Sequence, residues 1–237
     1  MFGAFVPAQP NGNRMALQRL HHHPLSPFCR KLRLVLAEKG IETVLVEEPW
    51  WERRLPFLRL NPAGKVPVLE IDGLVLSDSN AIAEYLEETR PEPPLIPGGP
   101  AERAEVRRLV AYFDDKFHHE VTVNLLHERV TKRLSRQGYP DSQRIKAGLA
   151  AIRYHLDYLE WLADQRRWLA GERFSLADIA AAAHLSCLDF IGDVDWDRVP
   201  NARIWYARIK SRPSFRPLLA DSLPGFRPPA HYADLDF

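Results

Sequence analysis

Ser26 heads the tetrad Ser26-Pro27-Phe28-Cys29, which has the C-P-x-C spacing of thiol oxidoreductases with a hydroxyl in the first place. Pro27 is tolerated in the first turn of a helix. Ser26 therefore falls at a helix N-terminus, where free N–H groups and the helix dipole stabilise an anion. A hydroxyl there donates a hydrogen bond to a bound thiolate and is not itself a nucleophile. Lowering a thiol's pKa by two units needs about 2.7 kcal/mol, which a helix terminus plus one hydroxyl donor can supply. Cys29 lies one turn inside the helix and reads as a buried structural cysteine.

Two further stretches offer ligand contacts. In Asn61-Pro62-Ala63-Gly64-Lys65-Val66-Pro67-Val68-Leu69, a proline opens a strand directly after an extended residue. It is either an ordinary edge-strand proline or a cis peptide. A cis Val66–Pro67 bond would turn the Val66 backbone outward to pair with a peptide-like ligand. Asp78-Ser79 sits where a helix begins. Ser79 reads as a cap beside the Asp78 carboxylate. The alternative is a binding corner in which Ser79 and the helix N–H groups hold a carboxylate and Asp78 holds an ammonium.

These residues need elements to position them. Leu17 to His22 is a strand candidate, and a helix follows from Pro27 to Lys39, stopped by Gly40. Cys29, Leu32, Val35 and Leu36 share one face, with Arg30, Lys31, Arg33 and Lys39 expected outside it. Thr43 to Glu47 is a second strand. Val66 to Ile71 and Leu74 to Leu76 make a hairpin about Asp72-Gly73. A helix from about Ser79 to Glu88 completes the order β-α-β-(α)-β-β-α. Residues 90–100, rich in proline and glycine, form a linker. Beyond it no strand pattern occurs, and four helices are expected. One is long, over 101 to 133; the next carries Ile145, Leu149, Ile152, Leu156 and Leu159 on one stripe; the others start at Ser175 and near Ala202. Ser175-Leu176-Ala177-Asp178 is a structural capping box. The expected division is thus an extension (1–15), an α/β domain (16–89), a linker (90–100), an all-helical domain (101–220) and a tail (221–237). The Pro-, Gly- and Asn-rich residues 1–14 read as disordered rather than as a signal peptide.

Composition excludes several classes. A formal net charge of +1 gives no global case for binding nucleic acid or an anionic membrane. No apolar run is long enough to insert in a bilayer. Two cysteines, Cys29 and Cys187, form no disulfide framework and fit a reducing cytoplasm. Neighbouring histidines His21, His22 and His23 alternate faces on a strand, so no metal site is expected. Trp50-Trp51 either packs locally or forms a protein-contact hot spot. The tail offers Tyr232, Asp234, Leu235, Asp236 and Phe237. It is a frayed end, a lid, or a partner-binding motif held off the body by its proline-rich spacer. On that last reading its removal changes stability by less than about 1 kcal/mol.

The N-P-A-G-K-V-P-V-L stretch, the D-S corner and the S-L-A-D box occur in the order and spacing of the glutathione transferase superfamily, which residues 16–220 resemble. The resemblance implies a thioredoxin-like domain followed by an all-helical domain. It also implies a cytosolic homodimer with the long helix at its interface. It places Ser26 at the catalytic serine position. Val66 and Pro67 match the cis-proline pair, and Asp78 and Ser79 the pair that binds the γ-glutamyl end of glutathione. That acid is usually glutamate, so here it is shorter. A narrower resemblance is carried by HHHPLSPFCRKLRLVLAEKG, the Trp50-Trp51 region and the tail HYADLDF. It is to alphaproteobacterial transferase-fold proteins that bind the tubulin-like polymer FtsZ at the division site. It implies a non-enzymatic binding role in which Trp50, Trp51 and the tail residues meet the partner.

Overall fold

The computed structural model describes residues 18–235. The expected extension and the tail positions Asp236 and Phe237 lie outside the described residues. The chain divides between Pro93 and Pro94 into two compact units.

The first unit runs β1 (Arg19–His22), α1 (Pro27–Glu38), β2 (Val44–Glu47), α2 (Leu55–Leu60), β3 (Val68–Ile71), β4 (Leu74–Ser77) and α3 (Ser79–Thr89). The strands form one sheet in the order β2-β1-β3-β4. β1 is parallel to β2 and antiparallel to β3, and β4 is antiparallel to β3. A parallel pair needs a crossover, which α1 supplies. The β3–β4 hairpin needs only Asp72 and Gly73, whose φ values of 50° and 78° are the two positive angles a tight hairpin turn requires. Leu20, Leu32, Val35, Val68, Leu69, Ile82 and Leu86 are fully buried and form the core.

The polar face expected on α1 is corrected by the structure. Arg30 and Lys31 are fully buried, and so is the Lys39 side chain. Each cation is buried with acceptors. Arg30 Nε donates to the Pro24 carbonyl (2.7 Å) and Lys31 Nζ to Asn80 Oδ1 (2.8 Å). Lys39 Nζ donates to Glu87 Oε2 (3.0 Å) and to the carbonyls of Arg90 (2.7 Å) and Pro93 (3.0 Å). A periodicity argument counts polarity and not acceptors, and a buried charge is tolerated once paired and hydrogen-bonded.

In the second unit α4 (Pro100–Ala111) continues through a π-wound stretch (Tyr112–Thr131) into α5 (Lys132–Leu134). Then come α6 (Ser142–Gln165), α7 (Leu176–Phe190), α8 (Pro200–Lys210) and α9 (Arg216–Leu219). Every residue of α7 is buried, so the unit is built around it. On α6 the expected stripe is only partly inward. Ile152, Leu156 and Leu159 are buried, but Leu149 is 36% exposed. The packing line runs through Gly148 instead. A Cβ there would lie 2.8 Å from Leu125 Cγ and 2.9 Å from Asn124 Cβ, so the absent side chain sets how closely α6 approaches the long helix.

The tail is docked, which overturns its expected separation from the body. Tyr232 is fully buried, stands edge-on to Phe190 with ring centres 5.3 Å apart, and donates its hydroxyl to the Leu218 carbonyl (3.1 Å). Lys210 Nζ donates to the carbonyls of His231 (3.0 Å) and Asp234. His231 Nε2 lies 2.9 Å from Asp189 Oδ1. The proline-rich spacer folds back because Tyr232 and these carbonyls satisfy buried groups that would otherwise lack cover.

His155 is buried on α6 between Tyr112 (2.6 Å from Nδ1) and Glu120 (2.9 Å from Nε2). Burial lowers its pKa, against the opposing pull of the Glu120 carboxylate. A depressed histidine pKa contributes stability that is present above the unfolded value, about 6.5, and is lost as pH falls through the lower folded value. Urea midpoints are therefore expected to fall between pH 7.5 and 5.5. The fall should be smaller in His155→Gln, and an equal slope in the two proteins would contradict it.

Candidate functional site

Pairing register brings the candidate ligand-binding residues to one edge of the sheet. His21 of β1 pairs with Val68 of β3, which pairs with Ser77 of β4. The end of β1, the start of β3 and the end of β4 are therefore level. Ser26 follows the first, Val66-Pro67 precedes the second, and Asp78-Ser79 follows the third. β2 ends level with β1, with Glu47 beside His22, so Trp50-Trp51 emerges at the same edge.

Ser26 is the N-cap of α1. Its Oγ accepts from the Cys29 N–H at 3.4 Å, so the hydroxyl proton is left to point elsewhere. Ser26 is partly exposed. Cys29 is fully buried with Phe57, Val66 and Val68. The Val66–Pro67 bond is cis. Val66 lies ahead of the β1–β3 ladder, whose first β3 residue is Val68, so its N–H and C=O are outside the sheet's own pairing. Asn61 shapes this approach, donating to the Lys65 carbonyl (2.7 Å) and accepting from the Ala63 N–H (3.1 Å).

At the third position the roles within the D-S pair are exchanged. Asp78 is the cap, and its Oδ1 accepts from the N–H groups of Asn80 (2.8 Å) and Ala81 (3.1 Å). Ser79 is the first helical residue and is 5% exposed. Asp78 holds a φ of 76°, a left-handed conformation that costs a non-glycine residue about 1–3 kcal/mol and recurs at ligand-binding turns. Both cap bonds use Oδ1, and Asp78 is exposed, which leaves Oδ2 outside the cap.

The tryptophans pack locally on one side. Trp50 lies against the Cys29, Phe57, Val66 and Val68 cluster. Trp51 meets the His23 ring edge-on at 5.2 Å. Their turn is fixed by Glu48, which is buried and held by Arg54 at 2.5 and 3.1 Å. Both tryptophans remain partly exposed. In the tail, Tyr232 is corrected from partner anchor to core residue because it has no exposed surface. Asp234 is exposed and lines a cleft of about 480 Å³ together with Asp195, Trp196, Asp197, Arg203 and His231. Leu235 is partly exposed.

Sequence reasoning missed Lys31, whose buried ammonium ties α1 to Asn80 in the first turn of α3. It thereby links the Ser26 and Asp78 helix starts. The available signal was Asn80 itself, an acceptor placed directly after the D-S pair.

The glutathione S-transferase N-terminal domain family matches residues 20–94 and the C-terminal domain family residues 113–213. The chain belongs to the glutathione transferase superfamily. Within it, the chain is 51% identical to FtsZ-localized protein A of Caulobacter vibrioides, over 94% of this chain and all of that one. The solved structure of FzlA from C. crescentus superposes with a TM-score of 0.90 at 50% identity, covering 94% of this chain and all of that one. A glutathione S-transferase from Rhodospirillum rubrum F11 superposes at 0.91 with 55% identity, covering 93% and 100%.

Proposed function

We propose that this chain is a dimeric, non-enzymatic regulator of cell division that binds FtsZ filaments in the cytoplasm at the division site. The observation that carries the reading is 51% identity along the full length of a protein named for its localisation with FtsZ. The match covers 94% of this chain, far more than a shared ligand edge requires. Fold alone does not decide function. A twofold dimer presents each binding surface twice and can bridge neighbouring filament subunits without any chemistry. Asp234 and Leu235, together with the exposed parts of Trp50 and Trp51, are the described surfaces we assign to the partner; Asp236 and Phe237 extend the tail surface.

A second reading has its own observation, the preserved sheet edge. Ser26, Val66, Pro67, Asp78 and Ser79 suit glutathione. The Val66 backbone suits a peptide strand, the α3 start and Ser79 a carboxylate, and Asp78 Oδ2 an ammonium. Bound glutathione supplies a thiol. Ser26 Oγ, already an acceptor from Cys29, would donate its proton toward that sulfur as it becomes a thiolate.

The two readings separate at Ser26. Ser26→Ala is expected to abolish any glutathione-conjugating activity, a loss of at least 10²-fold for a missing stabilising donor, while FtsZ co-sedimentation stays within twofold of wild type. Vigorous wild-type turnover with a standard electrophile, and no FtsZ binding in either protein, would establish the enzyme reading instead.

A further inference from the structure

β2 is an edge of the sheet, paired with β1 on one side and with no described strand on the other. Its ladder fixes which backbone groups are left over. The Val44 N–H donates to the Gln18 carbonyl and the Glu48 N–H to the His22 carbonyl, both at 2.8 Å. Val44, Val46 and Glu48 therefore face β1. Successive residues of a strand turn their N–H and C=O groups to opposite sides, so those of Leu45 and Glu47 point away from the sheet. Side chains do not close this edge. Val44 is 40% and Leu45 44% exposed, one on each face of the strand. Natural edges are blunted by proline, inserted charge or a bulge. Val44-Leu45-Val46 carries neither proline nor charge, and its register with β1 runs without a bulge. Charge sits at the ends instead and has one sign. Glu42 and Glu47 are both exposed, and among the described residues neither side chain is held by an ion pair or a hydrogen bond.

We propose that the outer edge of β2 takes an extended segment of a partner protein as a fifth strand, with apolar side chains beside Val44 and Leu45 and a lysine or arginine toward Glu42 and Glu47. In such strand addition the main chain supplies the affinity and the alternate side chains the selectivity. Leu45 and Glu47 each offer one N–H and one C=O, so the contact is weak and exchanging. A second copy of this chain is the wrong occupant. It would bring its own unpaired Glu42 and Glu47 to the same short ribbon, and like charges across a strand pair are unfavourable. A basic segment meets the same acids with the opposite sign. The edge uses none of the residues assigned to FtsZ or to glutathione, so it stands apart from both readings of function.

Amide NMR of the full chain tests this with a synthetic probe, acetyl-Lys-Val-Thr-Val-Lys-amide. Titration to millimolar concentration is expected to shift the Leu45 and Glu47 amides most and to slow their hydrogen exchange. The Val44 and Glu48 amides, already bonded to β1, should keep their protection throughout. The same peptide with glutamate in place of lysine should leave the spectrum unchanged. Leu45→Pro removes an outward N–H and spares the ladder, since proline is tolerated where a strand N–H faces solvent. It should bind the lysine peptide about fivefold more weakly, the worth of one hydrogen bond. A backbone N-methylated lysine peptide should weaken binding to the wild type at least as much, which keeps the test independent of how the variant folds. No shift at Leu45 and Glu47, equal binding of the glutamate peptide, or equal binding of the N-methylated peptide would each overturn the proposal. So would Leu45 and Glu47 amides already protected in the free protein, which would mean that this chain or a second copy covers the edge.

Discussion

Replacing Asp178 with alanine is expected to cost on the order of 3–5 kcal/mol, the high end for a single substitution, because several buried donors lose their acceptor at once. The carboxylate is fully buried and joins three segments of the helical unit. Oδ1 accepts from the Leu169 N–H (2.8 Å) and Trp205 Nε1 (2.9 Å), and Oδ2 from the Ser175 N–H (3.0 Å) and Oγ (3.1 Å). Burial pushes the carboxyl up, and these four bonds pull the other way without cancelling it. Alanine leaves the donors buried without an acceptor, each worth about 1–3 kcal/mol, and removes the capping box of α7. Against a total stability of about 5–15 kcal/mol, that is a large fraction. Urea denaturation followed by circular dichroism measures it. A loss below 1 kcal/mol would show that the carboxylate is dispensable.

The tail carries the second large effect, where its composition suggests almost none. Tyr232→Ala removes a fully buried aromatic ring and should cost about 3–5 kcal/mol. Tyr232→Phe loses only the hydroxyl bond to Leu218 and should cost about 1 kcal/mol. Deleting 231–237 should cost at least as much as Tyr232→Ala. It also takes from Lys210 two carbonyl acceptors, at a lysine whose pKa burial already lowers. A deletion that stayed within 1 kcal/mol of wild type would show the docked tail to be energetically idle.

The contrast between Asp178 and Tyr232 shows what was legible in the sequence. The S-L-A-D box is local: cap, carboxylate and helix lie within four residues, and local hydrogen bonding decides the outcome. The Asp72-Gly73 hairpin was readable for the same reason, as was the proline at Val66–Pro67. Tyr232 depends on Phe190 and Leu218, which no spacing within the tail encodes. Lys31 and Lys39 failed similarly, since their acceptors lie 49 and 48 residues away. At the ligand edge, the residue types were readable but the division of labour was not. Asp78, not Ser79, caps α3, because a left-handed backbone at Asp78 turns its carboxylate onto the helix N–H groups.

Association with FtsZ is tested most directly by co-sedimentation with GTP-polymerised FtsZ. Wild-type protein is expected to pellet with polymer and to remain in solution without it. Asp234→Asn should pellet several-fold less while keeping its fold, since the carbonyl contact to Lys210 is kept and no like charge is set beside that lysine. Wild-type protein that stays in the supernatant at every FtsZ concentration, while titration calorimetry shows it binding glutathione, would contradict the account.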